Sequence, residues 1–136
     1  MIEQYLTQLV EELQLEPLPP KDDQDRYHLR INTDLEISFN ALDPGFFVHS
    51  LIAACPKQKR EELFIYLAKA NFLGQGTGGG CIGLEENENF LTLSLSLPYD
   101  MNYKAFKETV EDFVNHVDYW KEEISRHEQA AKSILE

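Results

Sequence analysis

The stretch "LFIYLAKANFLGQGTGGGCIGLEENENFLTLSLSLP", residues 63–98, decides the fold because three different patterns follow one another within it. Nine of its first eleven residues are apolar or aromatic, which predicts a helix that is buried on more than one side. Six of the chain's seven glycines come next, within residues 73–84. At the end of the stretch, leucines alternate with threonine and serine, which is the period of a half-buried strand. The predicted order is helix, glycine segment, short strand, polar turn and strand.

The glycine segment contains a literal G-x-G-x-x-G at Gly74, Gly76 and Gly79. In dinucleotide-binding proteins this motif lies between a strand and the N-terminus of a helix, where free N–H groups and the helix dipole meet the pyrophosphate. Here a predicted helix over 58–73 precedes the glycines, so they lie at a helix C-terminus, whose unpaired carbonyls repel phosphate. We therefore interpret the segment as a joint between two elements, with Gly74 as the helix cap.

The remaining elements follow from hydrophobic periodicity. Residues 2–14 are predicted to form an amphipathic helix, and a long last helix begins near Asn102. A turn at Asp43-Pro44-Gly45 leads into a third strand, 46–55. Before it, two strands joined by a turn at 32–34 form a hairpin with one apolar face, made of Tyr27, Leu29, Ile31, Leu35, Ile37 and Phe39. The sequence thus predicts an α+β fold of helix, three strands, helix, two strands and helix.

The composition limits the class of partner. The chain carries 24 Asp and Glu against 12 Lys and Arg, a net charge of −12. Such a surface repels nucleic acid and anionic membranes, and it favours basic or apolar partners. No run of 18 apolar residues occurs, and the N-terminus lacks the pattern of a signal peptide. We expect one cytoplasmic domain over 1–136 without membrane insertion, in which 125–136 are a helical extension or a frayed tail and both cysteines are reduced.

Candidate catalytic or metal-binding residues are few. On one helix, His116 and His127 lie about 16 Å apart, so they cannot share a metal ion within one chain. No H-E-x-x-H, C-x-x-C or G-x-S-x-G occurs. Cys55 ends an apolar strand and Cys81 lies between glycines and an isoleucine, so both are expected to be small core residues. We expect no metal, no cofactor and no enzymatic activity, and therefore a binding protein.

This order of elements in a small acidic chain resembles the class I type III secretion chaperones, the CesT/SycE-like family. The most specific likeness covers residues 63–98: a middle helix that ends in Asn71-Phe72, then glycine and threonine, a short strand, an acidic turn and a leucine-alternating strand. The resemblance implies a homodimer in which a twisted antiparallel sheet is flanked by helices. It also implies a bacterial cytoplasmic chaperone, involved in virulence, that uses no ATP.

The resemblance implies a dimer interface on the middle helix and on the strand that follows it. Carried over to this chain, the interface residues are Leu63, Leu67, Ala70, Phe72, Cys81, Ile82 and Leu84. The apolar composition of the helix agrees independently, because a second subunit would cover the side that the sheet leaves open.

The family binds the N-terminal chaperone-binding region of a secreted effector in extended form and keeps it soluble and competent for export. The ATPase of the export apparatus is a further partner that the resemblance implies. Apolar positions of the first helix and the early strands receive the effector, and an exposed strand edge can accept an added strand. Here these positions are Leu6, Leu9, Val10, Leu13, Tyr27, Leu29, Leu35, Ile37 and Phe39. Each of them could instead serve the core of its own subunit, and the sequence leaves that alternative open.

Two other interpretations remain open. A general adaptor resembling the YbjN-like proteins would keep the same fold without a role in secretion. A small cysteine-dependent or nucleotide-dependent enzyme would lose activity on Cys81→Ser, or would show a thermal shift with nucleotide.

Overall fold

The computed structural model of the chain describes residues 2–42, 45–98 and 100–135, with side chains as far as Lys132. Helices and strands follow one another in the predicted order. The helices are α1 (Ile2–Leu13), α2 (Arg60–Asn71) and α3 (Tyr103–Leu135). The strands are β1 (Arg26–Asn32), β2 (Leu35–Ala41), β3 (Phe46–Ala54), β4 (Cys81–Leu84) and β5 (Phe90–Leu97). A short 3-10 turn, Phe72–Gly74, follows α2.

The strands form one five-stranded antiparallel sheet in the order β1-β2-β3-β5-β4. In the β1–β2 hairpin, Tyr27 lies opposite Phe39 and Leu29 lies opposite Ile37. Phe39 in turn lies opposite Val48 of β3. All five side chains are buried, because the register places the alternating apolar positions of neighbouring strands on the same face. The predicted α+β fold and the predicted hairpin are confirmed, and β1 and β4 are the two edges of the sheet.

The chain divides into two compact units, each built from two stretches of sequence. The first unit consists of Met1–Leu51 and Ser94–Glu111, and the second consists of Ile52–Leu93 and Asp112–Glu136. That the chain acts as one domain over 1–136 stays a prediction.

In the first unit, an aromatic cluster joins α1, β2 and the start of α3. The ring centroid of Phe106 lies 5.4 Å from that of Tyr5 and 5.9 Å from that of Phe39. Closer to the surface, Glu12 of α1 accepts a charged hydrogen bond of 3.0 Å from Lys107 of α3. The buried rings contribute most of the stability here, since an exposed ion pair of this kind is worth roughly 0–1 kcal/mol.

In the second unit, α2 buries only one of its apolar sides. Leu63 and Leu67, one turn apart, are 1% and 5% exposed. The part of α3 in this unit is more strictly amphipathic and buries residues at spacings of three and four: Phe113, Val117, Trp120 and Ile124.

The ends of the first two helices differ from the prediction. Leu13 follows the apolar spacing of α1, but it is 40% exposed because the helix ends there and the chain turns away through the left-handed Gln14 (φ 54°). α2 ends at Asn71, and the first left-handed residue after it is Leu73 (φ 54°) rather than the predicted cap Gly74. Asp43 and Pro44 of the predicted turn lie outside the described residues.

Candidate functional site

The outer side of α2 carries large apolar side chains that the described part of the chain leaves partly exposed. Phe64, Ile65 and Phe72 are 38%, 54% and 65% exposed. Together with the exposed Ala68 they follow the spacing i, i+1, i+4, i+8, which places them on one face of a helix. Contiguous apolar surface of this kind marks a site of interaction with another protein or a membrane.

The turn that follows α2 adds the most exposed apolar side chain to this surface. Leu73 is 80% exposed, and its left-handed backbone (φ 54°, ψ 19°) costs roughly 1–2 kcal/mol for a residue with a Cβ atom. Strained backbone persists where the surrounding structure imposes it, and it often accompanies function. An exposed leucine at this position therefore costs free energy both through its backbone conformation and through the apolar surface it leaves in water. This cost points to a contact with another molecule.

The side chain of Asn71 fixes β4 to the end of α2. Its Nδ2 donates to the Ile82 carbonyl and its Oδ1 accepts from the Ile82 N–H, both at 2.8 Å. Ile82 is buried, whereas Cys81 and Leu84 on either side of it remain exposed. We define the α2–β4 surface by its exposed members: Phe64, Ile65, Phe72, Leu73, Cys81 and Leu84.

The glycine segment is bonded to α3 and within itself. The indole Nε1–H of Trp120 donates to the Gly76 carbonyl at 3.0 Å, and the Thr77 hydroxyl donates to the Gly80 carbonyl at 2.6 Å. Thr77 is buried. The segment does join α2 to β4, but these hydrogen bonds hold it in one folded turn.

The glycines of this turn are required by close approaches within the chain. A Cβ atom on Gly78 would lie 2.7 Å from Cε1 of His116, and one on Gly74 would lie 2.8 Å from Cα of Gly79. Gly74 and Gly78 also have φ of +69° and +64°, which other residues rarely adopt. The dinucleotide-like spacing therefore has a structural cause.

The structure divides the predicted dimer residues into two groups. Those buried within the chain are Leu63, Leu67 and Ile82, and Ala70 is half-buried. Those exposed are Phe72, Cys81 and Leu84. The expectation that Cys81 is a core residue is wrong, because it is exposed on the edge strand β4. Sequence reasoning missed Phe64, Ile65 and Leu73, although the apolar composition of the helix on all sides was the signal for them.

The predicted effector-binding residues come together, but in the interior of the first unit. Eight of the nine, all but Leu13, are 8% exposed or less: Leu6, Leu9, Val10, Tyr27, Leu29, Leu35, Ile37 and Phe39. This burial favours the alternative that the sequence left open, in which they form the core of their own subunit. Their contact with an effector stays a prediction.

On the outer face of the first unit, a carboxylate, an imidazole and a hydroxyl form a hydrogen-bonded chain. His28 Nε2 lies 2.7 Å from Asp22 Oδ2, and Ser38 Oγ lies 3.2 Å from His28 Nδ1. The His28 contact and the backbone N–H of Arg26 lower the pKa of Asp22 to about 2. Asp22 also accepts from the Gln24 N–H at 2.8 Å, so the network ties the 22–25 turn to β1 and β2. Sequence reasoning missed this network because it depends on the strand register.

Metal ligation and membrane insertion find no support in the described part of the chain. No group of three or more His, Cys, Asp or Glu side chains among residues 2–42, 45–98 and 100–132 could hold a metal ion. In the same part, no helix has both the length and the apolar character needed to span a bilayer. Neither Cys55 nor Cys81 is in a disulfide, as predicted, and burial raises the pKa of the Cys55 thiol.

An α+β chain with a strained, exposed apolar surface has the features of a protein that binds other proteins. The model of the Tir chaperone protein (CesT) family matches residues 4–121, and the chain belongs to this family. The predicted family is therefore confirmed. A comparison with curated protein sequences gives no match.

Solved structures confirm the fold. The chain is similar to the ExsC–ExsE complex, with a TM-score of 0.72 and 14% identity over 89% of this chain and 91% of that chain. It is similar to the HopA1–SchA chaperone–effector complex, with a TM-score of 0.67 and 14% identity over 89% and 93%. It is also similar to the Yersinia pestis type III secretion chaperone SycH in complex with a stable fragment of YscM2, with a TM-score of 0.65 and 12% identity over 88% and 98%.

Proposed function

We propose that this protein is a cytoplasmic type III secretion chaperone that binds the N-terminal region of a secreted effector and keeps it soluble and competent for export. The observation that carries the proposal is the match of the Tir chaperone family over residues 4–121, nearly the whole chain. The proposal is supported by two solved structures of the same fold, the HopA1–SchA chaperone–effector complex and the type III secretion chaperone SycH in complex with a fragment of YscM2. Its role is binding and delivery, with the export ATPase as a further partner, and it performs no chemistry itself.

The proposed working form is a homodimer joined through the α2–β4 surface. A two-fold interface uses the same patch on both copies, and a stable interface buries about 800 Å² on each partner. Phe72 and Leu73 are its two most exposed large apolar side chains, at 65% and 80%. Covering them by a second copy would remove this apolar area from water and offset the backbone strain at Leu73. Leu63, Leu67 and Ile82 would then support the interface from inside each subunit.

The proposed effector-binding site lies on the first unit. β1 is an edge strand and can accept an added strand through main-chain hydrogen bonds. Among the nine predicted positions, Leu13 is already on the surface, whereas the other eight would act by shaping the unit from within. The net charge of −12 would speed encounter with basic effector segments.

The proposal is tested by capture followed by limited proteolysis. Tagged protein is purified from the bacterium that encodes it, and co-purifying proteins are identified by mass spectrometry before and after protease treatment. We expect a secreted protein whose N-terminal segment is protected while bound. An adaptor of the same fold would instead capture proteins that are not exported, and that result would contradict the secretion role.

A further inference from the structure

The second unit contains a cavity between α2 and α3 with a volume of about 610 Å³. This volume falls within the range of about 300–1,000 Å³ typical of ligand sites. The cavity is lined by Tyr66, Lys69, Ala70, Gly76, Asn115, His116, Tyr119 and Trp120. It lies on a different side of α2 from Phe64 and Phe72, so the α2–β4 surface does not explain it.

Three aromatic rings meet in this cavity at steep angles. Trp120 is only 2% exposed and forms its floor. The Tyr119 ring lies 5.2 Å from the Trp120 ring at an interplanar angle of 88°, and the Tyr66 ring lies 5.4 Å from it at 58°. Tyr66 and Tyr119 are 40% and 50% exposed, so they form two open walls.

The polar atoms of these rings are already engaged. The Trp120 N–H is bonded to Gly76, and the Tyr66 hydroxyl donates to Glu123 Oε2 at 2.8 Å. Burial, followed by the hydrogen bond to Glu123, raises the pKa of Tyr66, so the phenol is neutral at physiological pH. What the indole and this phenol offer to a ligand is therefore the negative π surface of their rings.

Two residues of α3 that line the cavity, Asn115 and His116, carry hydrogen-bond acceptors. His116 Nδ1 lies 2.8 Å from the Asp112 carbonyl, which can only accept, so Nδ1 carries a proton, and in the tautomer with its single proton there Nε2 is an acceptor. The side chain of Asn115 has no hydrogen-bond partner among the described residues, and its amide oxygen is a second acceptor. Outside the cavity lining, α3 carries the exposed Asp118, and Glu122 is paired with Arg126 at 3.0 Å.

We propose that this cavity binds an arginine side chain of the partner protein. A guanidinium stacks on aromatic faces, and its five N–H donors match acceptors such as those of Asn115 and His116. An apolar side chain would leave these acceptors unpaired, and a carboxylate would meet the negative faces of the Tyr66 and Tyr119 rings. This proposal rests on the proposed function, because it takes the secreted effector as the partner. It adds the kind of side chain by which the protein recognises a segment of that effector.

Lys69 allows the charge of the ligand to be tested, because its ammonium lines the cavity and would oppose an entering cation. It is the one lysine or arginine that lines the cavity, it is exposed, and its ammonium forms no ion pair among the described residues. A second cation would have to displace it. Removing its charge therefore strengthens the binding of a cation, weakens that of an anion and leaves that of an apolar group unchanged.

Trp120 is the only tryptophan of the chain, so its fluorescence reports directly on the cavity floor. The probes are N-acetyl-arginine amide and N-acetyl-citrulline amide, which share a shape and differ in charge, titrated at constant ionic strength. We expect saturable quenching by the arginine probe and at least about tenfold weaker binding of the citrulline probe. Tyr119→Ala weakens arginine binding about fivefold, whereas Tyr119→Phe keeps it.

The decisive variant is Lys69→Gln, with Lys57→Gln as its control because it makes the same change in net charge away from the cavity. Lys69→Gln is expected to strengthen binding of the arginine probe at least about twofold, and Lys57→Gln to leave it unchanged. Equal binding of both probes, weaker binding by Lys69→Gln, or no saturable quenching would overturn the proposal. Because these titrations need no partner protein, their failure would leave the capture experiment to decide the chaperone role separately.

Discussion

The indole N–H of Trp120 donates to the carbonyl oxygen of Gly76 across 3.0 Å, and this bond anchors the glycine segment to α3. His116, about one turn earlier on α3, lies directly against Gly78. The glycine segment, which the sequence suggests is flexible, is thus held in one conformation and supports the exposed residues Phe72 and Leu73 at its start. The contacts of α3 with Gly76 and Gly78 therefore stabilise the glycine segment and also keep Phe72 and Leu73 exposed.

Gly78→Ala should destabilise the protein by about 1–2 kcal/mol, because the residue has φ +64° and the new Cβ would press on His116. Gly83→Ala is the matched control, since a Cβ there meets Thr92 Oγ1 at an ordinary 3.6 Å. Urea unfolding followed by circular dichroism measures both. In the Gly78→Ala protein, the second substitution His116→Ala should restore the free energy of unfolding that the steric contact costs. The cost of the left-handed backbone of an alanine should remain. Equal midpoints for the two glycine variants would contradict the proposed close approach.

Leu73→Gly should separate folding from association. Glycine adopts φ 54° without strain, so the variant should unfold no more easily than the parent and should gain up to about 1 kcal/mol. It should nevertheless weaken the dimer, because the most exposed apolar side chain is lost. Gln14→Gly is the control: Gln14 has the same φ of 54° outside the α2–β4 surface, so association should not change. Sedimentation equilibrium compares the variants, and similar dissociation of both would refute the role of Leu73.

Phe72→Asp should convert the dimer to a folded monomer, because an unpaired carboxylate cannot be covered by apolar surface without a large cost. Light scattering should give twice the chain mass of 15.7 kDa for the parent and the single mass for the variant. Leu51→Asp changes a leucine of the first unit that is 46% exposed, and it should leave the dimer intact. A parent that is monomeric at micromolar concentration would end the dimer proposal.

Acid should remove the stabilisation that Asp22 supplies. Its folded-state pKa, about 2, lies below the ordinary 3.8 because of the hydrogen bonds from His28 and from the Arg26 N–H. The charged form therefore stabilises the fold, fully above about pH 4, and this contribution is lost as pH falls through the folded pKa. Asp22→Asn should flatten the decline of the unfolding midpoint between about pH 4 and pH 2. Asp23→Asn should not, and parallel curves for all three proteins would contradict the assignment.

Much of the fold could be predicted from the sequence because alternation and helical spacing report burial directly. The hairpin face from Tyr27 to Phe39 and the spacing from Phe113 to Ile124 are examples. The end of a buried face is less predictable, since Leu13 fits the α1 pattern but lies where the chain turns away. Backbone conformation is less predictable still, because Leu73 is left-handed as well as the Gly74 that follows it.

The sequence was least informative about which side of α2 faces outward. Its apolar residues surround the helix, so periodicity cannot separate Leu67, which is 5% exposed, from Phe72, which is 65% exposed. The distinction matters for experiments: an aspartate at Leu67 would unfold the second unit and would say little about association. The Asp22–His28–Ser38 network and the aromatic cavity likewise need tertiary contacts that spacing alone does not give.

The central claim, that the protein prepares a secreted partner for export, is tested most directly by measuring secretion of the captured protein. The culture supernatant is compared between wild-type cells, cells lacking the gene, and deleted cells that carry either the parent or Phe72→Asp. The account predicts that deletion lowers the secreted amount, that the parent restores it, and that Phe72→Asp does not. Unchanged secretion after deletion, with the captured protein still made, would contradict it.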